Sequence, residues 1–296
     1  MRITLLSSLK VAVDYDLITE IGGTPITDEA ASMVYTRYAV ATDLARGRRA
    51  LEIGCASGIG LGLVLDRATF VVGGDVHLPM LQTARSHYGG RIPFAQFSAT
   101  EIPFRDGSFD FVFFMEATYY VRDFSRALDE IGRVLAAEGV ILFVNANPER
   151  PDFIRSPHSE HYHSATEFRD LLEARGYHVE TSAGFAFVSS AAPDVVHRAM
   201  ANVLRSTRRV AESLHLIPRT LRGRARIKRL LFGKLRTIPR ELPPEFAARE
   251  PLTPLGTAPA RDHKVIYVVG RRNSGARGAT KNLTTPSVAK VSASDV

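Results

Sequence analysis

LEIGCASGIG, residues 51–60, decides the fold. The apolar run Arg49–Gly54 reads as a short strand that stops at Gly54, and Ile59–Asp66 reads as the helix that follows it. Between them Gly54, Cys55, Ala56, Ser57 and Gly58 are all small, so the backbone can come close to a ligand. The start of a helix there offers free N–H groups and a positive dipole end, which suit a carboxylate or a phosphate. One acid lies inside the strand: Glu52, two residues before Gly54. A carboxylate in that place repels a pyrophosphate and suits a ligand that carries an ammonium group. The dinucleotide fingerprint GxGxxG is also incomplete, because neither Gly54-x-Ala56 nor Gly58-x-Gly60 is finished at the right offset. Cys55, the only cysteine, excludes an intrachain disulfide and reads as a small packing residue in this turn.

Outward from this turn, strand and helix signals alternate to about residue 187. Strands are expected at Thr69–Asp75, Ile92–Phe97, Phe109–Met115, Val140–Val144 and Tyr177–Phe187, with helices at Pro79–Tyr88, Phe124–Leu135 and Thr166–Ala174. FDFVFFM (109–115) and VILFV (140–144) are almost wholly apolar, as strands covered on both faces must be. The pattern predicts a doubly wound, mostly parallel α/β sheet that binds its ligand at the carboxyl ends of the strands, near the switch in strand order. Asp75 ends the second strand, where an acid can accept hydrogen bonds from the two ribose hydroxyls of an adenosine. Together with the ammonium site at Glu52, it points to S-adenosylmethionine.

LEIGCASGIG, VVGGDVHLPML, FSATEIPFRDGSFDFVFF and RVLAAEGVILFV, taken in order, resemble the successive motifs of class I S-adenosylmethionine-dependent methyltransferases, particularly those with a UbiE/type-11-like domain. The resemblance covers about residues 35–187. It implies a seven-stranded Rossmann-like sheet whose last two strands, Tyr177–Phe187 and His263–Gly270, form an antiparallel pair. It also implies that Glu52, Gly54, Cys55, Ala56 and Gly58 line the methionine end of the cofactor. Asp75 would hold the ribose, Val76 would flank the adenine, Ser98 and Ala99 would sit at its edge, and Glu116 would lie under the sulfonium. Two positions depart from the family pattern. Ala56 stands where a third glycine is usual, and Ser98 where an aspartate is common; a hydroxyl accepts a hydrogen bond more weakly than a carboxylate.

Transfer of a methyl group is a direct displacement, so the protein mainly positions the reactants. A base is needed only for a hydroxyl or a protonated amine. Its candidates are Glu116 and Tyr119 after the fourth strand, and His158, His161 and His163 in the loop PERPDFIRSPHSEHYHS. The three histidines lack a standard zinc spacing and a cysteine cluster, so no metal is expected.

The 296 residues carry a net charge of +7, unevenly placed. From Arg198 to Arg240 thirteen arginines and lysines face one acid, Glu212; that stretch is +12 and the remainder of the chain −5. Residues 188–262 read as a basic, helical and proline-rich insertion between the last two strands of the core (1–187 and 263–272), and 273–296 as a disordered tail. A topological argument places the insertion over the acceptor site as a lid. Within it Ile227, Leu230, Leu231 and Leu235 share a helical face among arginines. Its charge suits solvent, an anionic or lipid-linked acceptor, or peripheral contact with a membrane through 198–240. Nucleic acid ranks last, because aromatic residues are scarce there.

No uncharged stretch approaches the roughly 20 residues of a membrane span, and the first residues lack a secretory pattern; the expected location is the cytoplasm, with contact at the inner membrane face if the basic stretch binds lipid. The expected activity is methyl transfer to a hydroxyl or amine of a small molecule, with a sugar, a lipid-linked glycan or a secondary metabolite as reasonable acceptors. The competing readings are a nucleotide-dependent oxidoreductase on a similar sheet, and a non-catalytic cofactor-binding protein with a membrane- or RNA-binding basic arm.

Overall fold

Strand residues divide by parity between two cores in the computed structural model of the chain, which describes residues 20–156, 158–186, 235–257 and 259–272. In chain order the elements are β1 (Pro25–Ile26), α1 (Asp28–Leu44), β2 (Arg49–Ile53), α2 (Leu61–Leu65), β3 (Phe70–Asp75), α3 (Leu78–Tyr88), β4 (Phe94–Gln96) and β5 (Phe109–Met115). A 3₁₀ turn at Thr118–Tyr120 follows, then α4 (Phe124–Val134), β6 (Leu135–Ala146), α5 (Ala165–Glu173), β7 (Tyr177–Ala186), β8 (Arg236–Thr237), β9 (Thr253–Pro254) and β10 (His263–Arg272). Phe111, Phe113, Leu142, Val144 and Tyr267 point to the core under α1, α2 and α3. Their neighbours Val112, Phe114, Ile141, Phe143 and Ile266 point to the core under α4 and α5. Both faces are therefore apolar, which is why these strands read as continuous hydrophobic runs.

The sheet order is β4-β3-β2-β5-β6-β10-β7-β9. β2, β3, β4, β5 and β6 run parallel, whereas β10 is antiparallel to both β6 and β7. The seven strands expected from the sequence are thus present in one sheet, and the two-residue β9 adds an eighth on the edge of β7. The order reverses between β2 and β5, so the switch lies directly beside the 54–58 turn.

The periodicity did not announce α1. Thr27 caps it by accepting from the amide of Ala30, with Asp28 and Glu29 in its first turn. Its buried side includes Thr36, Arg37 and Tyr38, so polar residues interrupt the apolar stripe.

Residues 235–257 of the expected insertion run back along the core as a strap. β8 pairs with β1, Ile238 and Leu242 are buried in the α1-side core, and the Leu242 amide donates to Ile59 O at 2.7 Å. Arg236 pairs with Asp28 at 2.5 Å and Arg249 with Asp43 at 2.7 Å, both on α1. The amphipathic face expected at Ile227–Leu235, apart from Leu235 itself, nearly all of the basic run, and the expected tail at 273–296 lie outside the described residues, as do residues 1–19. Among the described residues no helix is long and apolar enough to cross a membrane.

Candidate active site

Glu52 lies in β2 on the face toward α1 and is only 2% exposed. Its Oε1 accepts from the Tyr38 hydroxyl at 2.9 Å, while Oε2 is buried with no hydrogen-bond partner among the described residues. Burial pushes this carboxyl up to about 8; the Tyr38 hydrogen bond and Arg37 act in the opposite sense, and nearby Asp75 adds to the rise. An orphaned carboxylate oxygen beside the turn is a site for a donor from outside the chain.

The turn itself is made by backbone that few side chains allow. Gly54 has φ +71°, and a Cβ on it would fall 2.8 Å from Ala117 Cβ and 3.1 Å from the Phe114 ring, so only glycine fits. Ala56 holds φ +47° without that freedom. What fixes it is Asp75: Oδ2 accepts from the Ala56 amide and Oδ1 from the His77 amide, each at 2.8 Å. The acid after β3 thus clamps the turn after β2. Burial raises the Asp75 pKa, against the pull of the His77 and Ala56 amides. A carboxylate has about four lone-pair sites, so two remain for hydroxyls.

Next to buried Asp75, Val76 is 55% and Leu78 38% exposed, an apolar step suited to the face of a flat ring. Ser98 is exposed, and its hydroxyl is paired with that of Thr100 at 2.8 Å; Ala99 behind it is buried. Cys55 is buried beneath the turn, where burial pushes its thiol well up, so it is a packing residue and not a nucleophile.

Glu116 leaves β5 with φ +51°, its amide bonded to Val144 O at 2.8 Å, and its Oε2 accepts from Tyr119 at 3.3 Å. Burial raises its carboxyl to about 7, with Arg37 opposing. Tyr119 stacks on Tyr162 with ring centroids 4.1 Å apart, and Tyr162 meets Phe153 edge-on at 4.7 Å. The loops after β5 and β6 therefore form one aromatic wall, closed by the Glu160 amide bonded to Tyr119 O at 2.7 Å.

The histidines serve different surroundings, although the rings of His161 and His163 meet edge-on at 4.5 Å. His163 packs between Phe124 and Phe168 in the core under α4 and α5, and burial lowers its pKa to about 4. His161 is exposed and pairs with Glu167 at 3.0 Å; His158 is also exposed. Among the described residues no group of His, Cys, Asp and Glu could hold a metal.

Three site residues escaped the sequence reading: Arg37, Tyr38 and Tyr267. Arg37 is buried and carries a bidentate ion pair with Glu20. Tyr267 on β10 is 1% exposed, and its hydroxyl has no partner among the described residues. The capped start at Thr27-Asp28-Glu29 was the available signal for α1. For Tyr267, inside HKVIYVVG, there was none.

The residues present fit S-adenosylmethionine: a partnerless buried carboxylate oxygen for an ammonium, an acid with free lone pairs for a ribose, and an apolar step for an adenine. Comparison with known proteins agrees. Residues 51–143 match the family described as a methyltransferase domain. The chain is 33% identical over 137 residues to phthiotriol/phenolphthiotriol dimycocerosates methyltransferase 1 of Mycobacterium ulcerans, covering 45% of this chain and 49% of that protein. It is 32% identical over 106 residues to a fatty-acid O-methyltransferase of Mycolicibacterium smegmatis, covering 34% of this chain and 38% of that one. The chain thus spans about half or less of the length of these curated relatives. In fold it is similar to a SAM-dependent methyltransferase, possible histamine N-methyltransferase, of Thermotoga maritima, with a TM-score of 0.50 and 15% identity over 83% of this chain and 94% of that one. By that match residues 51–143 are a methyltransferase domain, and the chain has the Rossmann-like fold of S-adenosylmethionine-dependent methyltransferases.

Proposed function

We propose that this protein transfers the methyl group of S-adenosylmethionine to an oxygen atom of an apolar, lipid-like small molecule. The observation that carries the reading is the pair Glu52 and Asp75 around the 54–58 turn, at the switch between β2 and β5. Glu52 Oε2 would take the ammonium of the cofactor, Asp75 its ribose hydroxyls, and Val76, Ser98 and Ala99 the adenine. When bound, the cofactor supplies an electrophilic methyl group on a sulfonium. The chain's own part is to orient the acceptor and to keep water out. Glu116, with its carboxyl raised to about 7, can hold a proton taken from an acceptor at neutral pH. His163 is turned into the α4–α5 core and His161 into its pair with Glu167, so neither is favoured as the base.

Two relatives support the apolar acceptor. One is named for phthiotriol dimycocerosates and the other for fatty acids. The wall of Tyr119, Tyr162 and Phe153, with exposed Tyr120 and Ile154 beside it, suits such a molecule. The basic stretch 198–240 would draw the protein toward anionic headgroups, where such acceptors concentrate. A nicotinamide reading is disfavoured, because the buried Glu52 carboxylate would repel a pyrophosphate. Calorimetry decides: binding of S-adenosylmethionine and S-adenosylhomocysteine but not NAD or NADP is expected, and the opposite result overturns the reading.

A further inference from the structure

Arg37 is the one arginine among the described residues whose side chain is less than a tenth exposed and whose ion-pair partner lies outside the core elements. It extends from α1, and its Nη1 reaches Glu20 Oε1 at 3.2 Å while Nη2 pairs with Oε2. The two groups differ in access: the Arg37 side chain is 8% exposed and that of Glu20 32%. Glu20 belongs to no strand or helix, and its carboxylate is the more exposed of the two groups. Glu116, which accepts from Tyr119, and Tyr267, whose buried hydroxyl has no partner among the described residues, lie within electrostatic reach of Arg37. Glu116 begins the segment whose Ala117 packs against Gly54, so the cluster adjoins the turn assigned to the methyl donor.

A guanidinium that holds a carboxylate in a two-pronged grip is a preformed seat for a carboxylate. We propose that Glu20 is an internal stand-in for the acceptor, and that the acceptor is an apolar carboxylic acid whose carboxylate displaces Glu20 from Arg37 and takes the free hydrogen bond of Tyr267. This deepens the proposed function and rests on it. One carboxylate replaces another, so the charge around Arg37 is unchanged on binding. An alcohol or an amine offers no such exchange, since it would leave the buried guanidinium without an anion. In the transfer a carboxylate oxygen forms a bond to the methyl carbon while the carbon–sulfur bond breaks, and sulfur keeps that electron pair. The positive charge on sulfur and the negative charge on the acceptor vanish together, and no proton moves. The methyl ester no longer pairs with Arg37, so Glu20 returns and the product leaves.

The test uses the full chain, decanoate, decan-1-ol and decylamine. Calorimetry with S-adenosylhomocysteine first reports cofactor binding; its absence overturns the proposed function and this inference with it. Where the cofactor binds, decanoate should bind and yield methyl decanoate, while the alcohol and amine do not. Methylation of the alcohol and not of decanoate overturns this inference alone, whereas methylation of the amine alone overturns the oxygen acceptor of the proposed function as well. Glu20→Gln removes the stand-in and should tighten decanoate binding about fivefold or more, measured without turnover. Unchanged or weaker binding in that variant means that the ion pair is structural, and overturns the proposal. Arg37→Gln should weaken decanoate binding at least tenfold while S-adenosylhomocysteine still binds; decanoate affinity unchanged in folded Arg37→Gln overturns it equally.

Discussion

The Tyr38 hydroxyl donates to Glu52 Oε1 at 2.9 Å, across the contact between α1 and β2, and leaves Oε2 of the same carboxylate buried and without a partner among the described residues. The helix that the periodicity concealed therefore supports the acid that the sequence singled out. The same tyrosine ring lies over Gly60, where a Cβ would fall 2.2 Å from it, so α1 closes directly on the end of the turn.

That half-satisfied carboxylate gives the first prediction a sign. Its folded value of about 8 stands above the ordinary 4.5, so the folded state binds the proton more tightly than the unfolded chain. The stability this contributes is present below pH 4.5 and is lost as pH rises toward 8. Glu52→Gln should flatten the fall in urea midpoint between pH 5 and 8; the slope that remains is set by Glu116, raised to about 7, and by the raised Asp75, opposed below pH 6.5 by His163, lowered to about 4. An ammonium at Oε2 favours the ionised acid, so affinity for S-adenosylhomocysteine should rise over the same interval. Equal affinities at pH 6 and pH 8 would remove Glu52 from the ammonium site.

Asp75→Ala should weaken S-adenosylhomocysteine binding by about 1.5–3 kcal/mol, the usual worth of hydrogen bonds to a charged group. Part of the loss comes from the ribose and part from releasing Ala56 and His77. Asp75→Asn separates them, since its amide oxygen can still accept from one backbone amide. Calorimetry on both folded variants measures the split, and full affinity in Asp75→Ala would mean that the ribose is held elsewhere.

Gly54→Ala combines a left-handed φ with a Cβ 2.8 Å from Ala117. The backbone cost alone is roughly 1–2 kcal/mol, and the clash adds to it. The expected outcome is a loss of at least about 2 kcal/mol in denaturant unfolding together with lost cofactor binding. A variant of wild-type stability would mean that the turn relaxes freely.

Legibility followed the kind of force involved. β5 was readable to the residue, because Phe109–Met115 is buried on both faces and hydropathy alone marks it. β2, β3, α3 and α4 followed within a few residues from periodicity. Glu52 and Asp75 were legible because spacing along the chain places them at adjacent strand ends. Arg37 and Tyr267 were not: the partner of Arg37 is Glu20, which lies in no strand or helix, and Tyr267 is an inward residue of β10 that nothing in its run of apolar neighbours singles out. The strap escaped as well. Its prolines and charges read as loop, while Ile238 and Leu242 are single buried residues without a period.

The strap also yields a prediction that separates packing from charge. Leu242 is 2% exposed, and its amide is bonded to Ile59 O at 2.7 Å, directly after the cofactor turn. Its neighbour Glu241 bridges His87 at 2.8 Å and Arg91 at 2.6 Å, with about a quarter of its side chain in solvent. A conspicuous ion cluster and an inconspicuous leucine thus compete as the anchor. Surface pairs are screened and contribute up to about 1 kcal/mol, whereas a buried leucine truncated to alanine costs about 2–5 kcal/mol. Leu242→Ala should therefore destabilise the fold several times more than Glu241→Ala in urea unfolding. It should also weaken S-adenosylhomocysteine binding, because the strap braces Ile59 behind Gly58. If Glu241→Ala proves the more damaging, the strap is held electrostatically, and raising the salt concentration should loosen it in the wild-type chain.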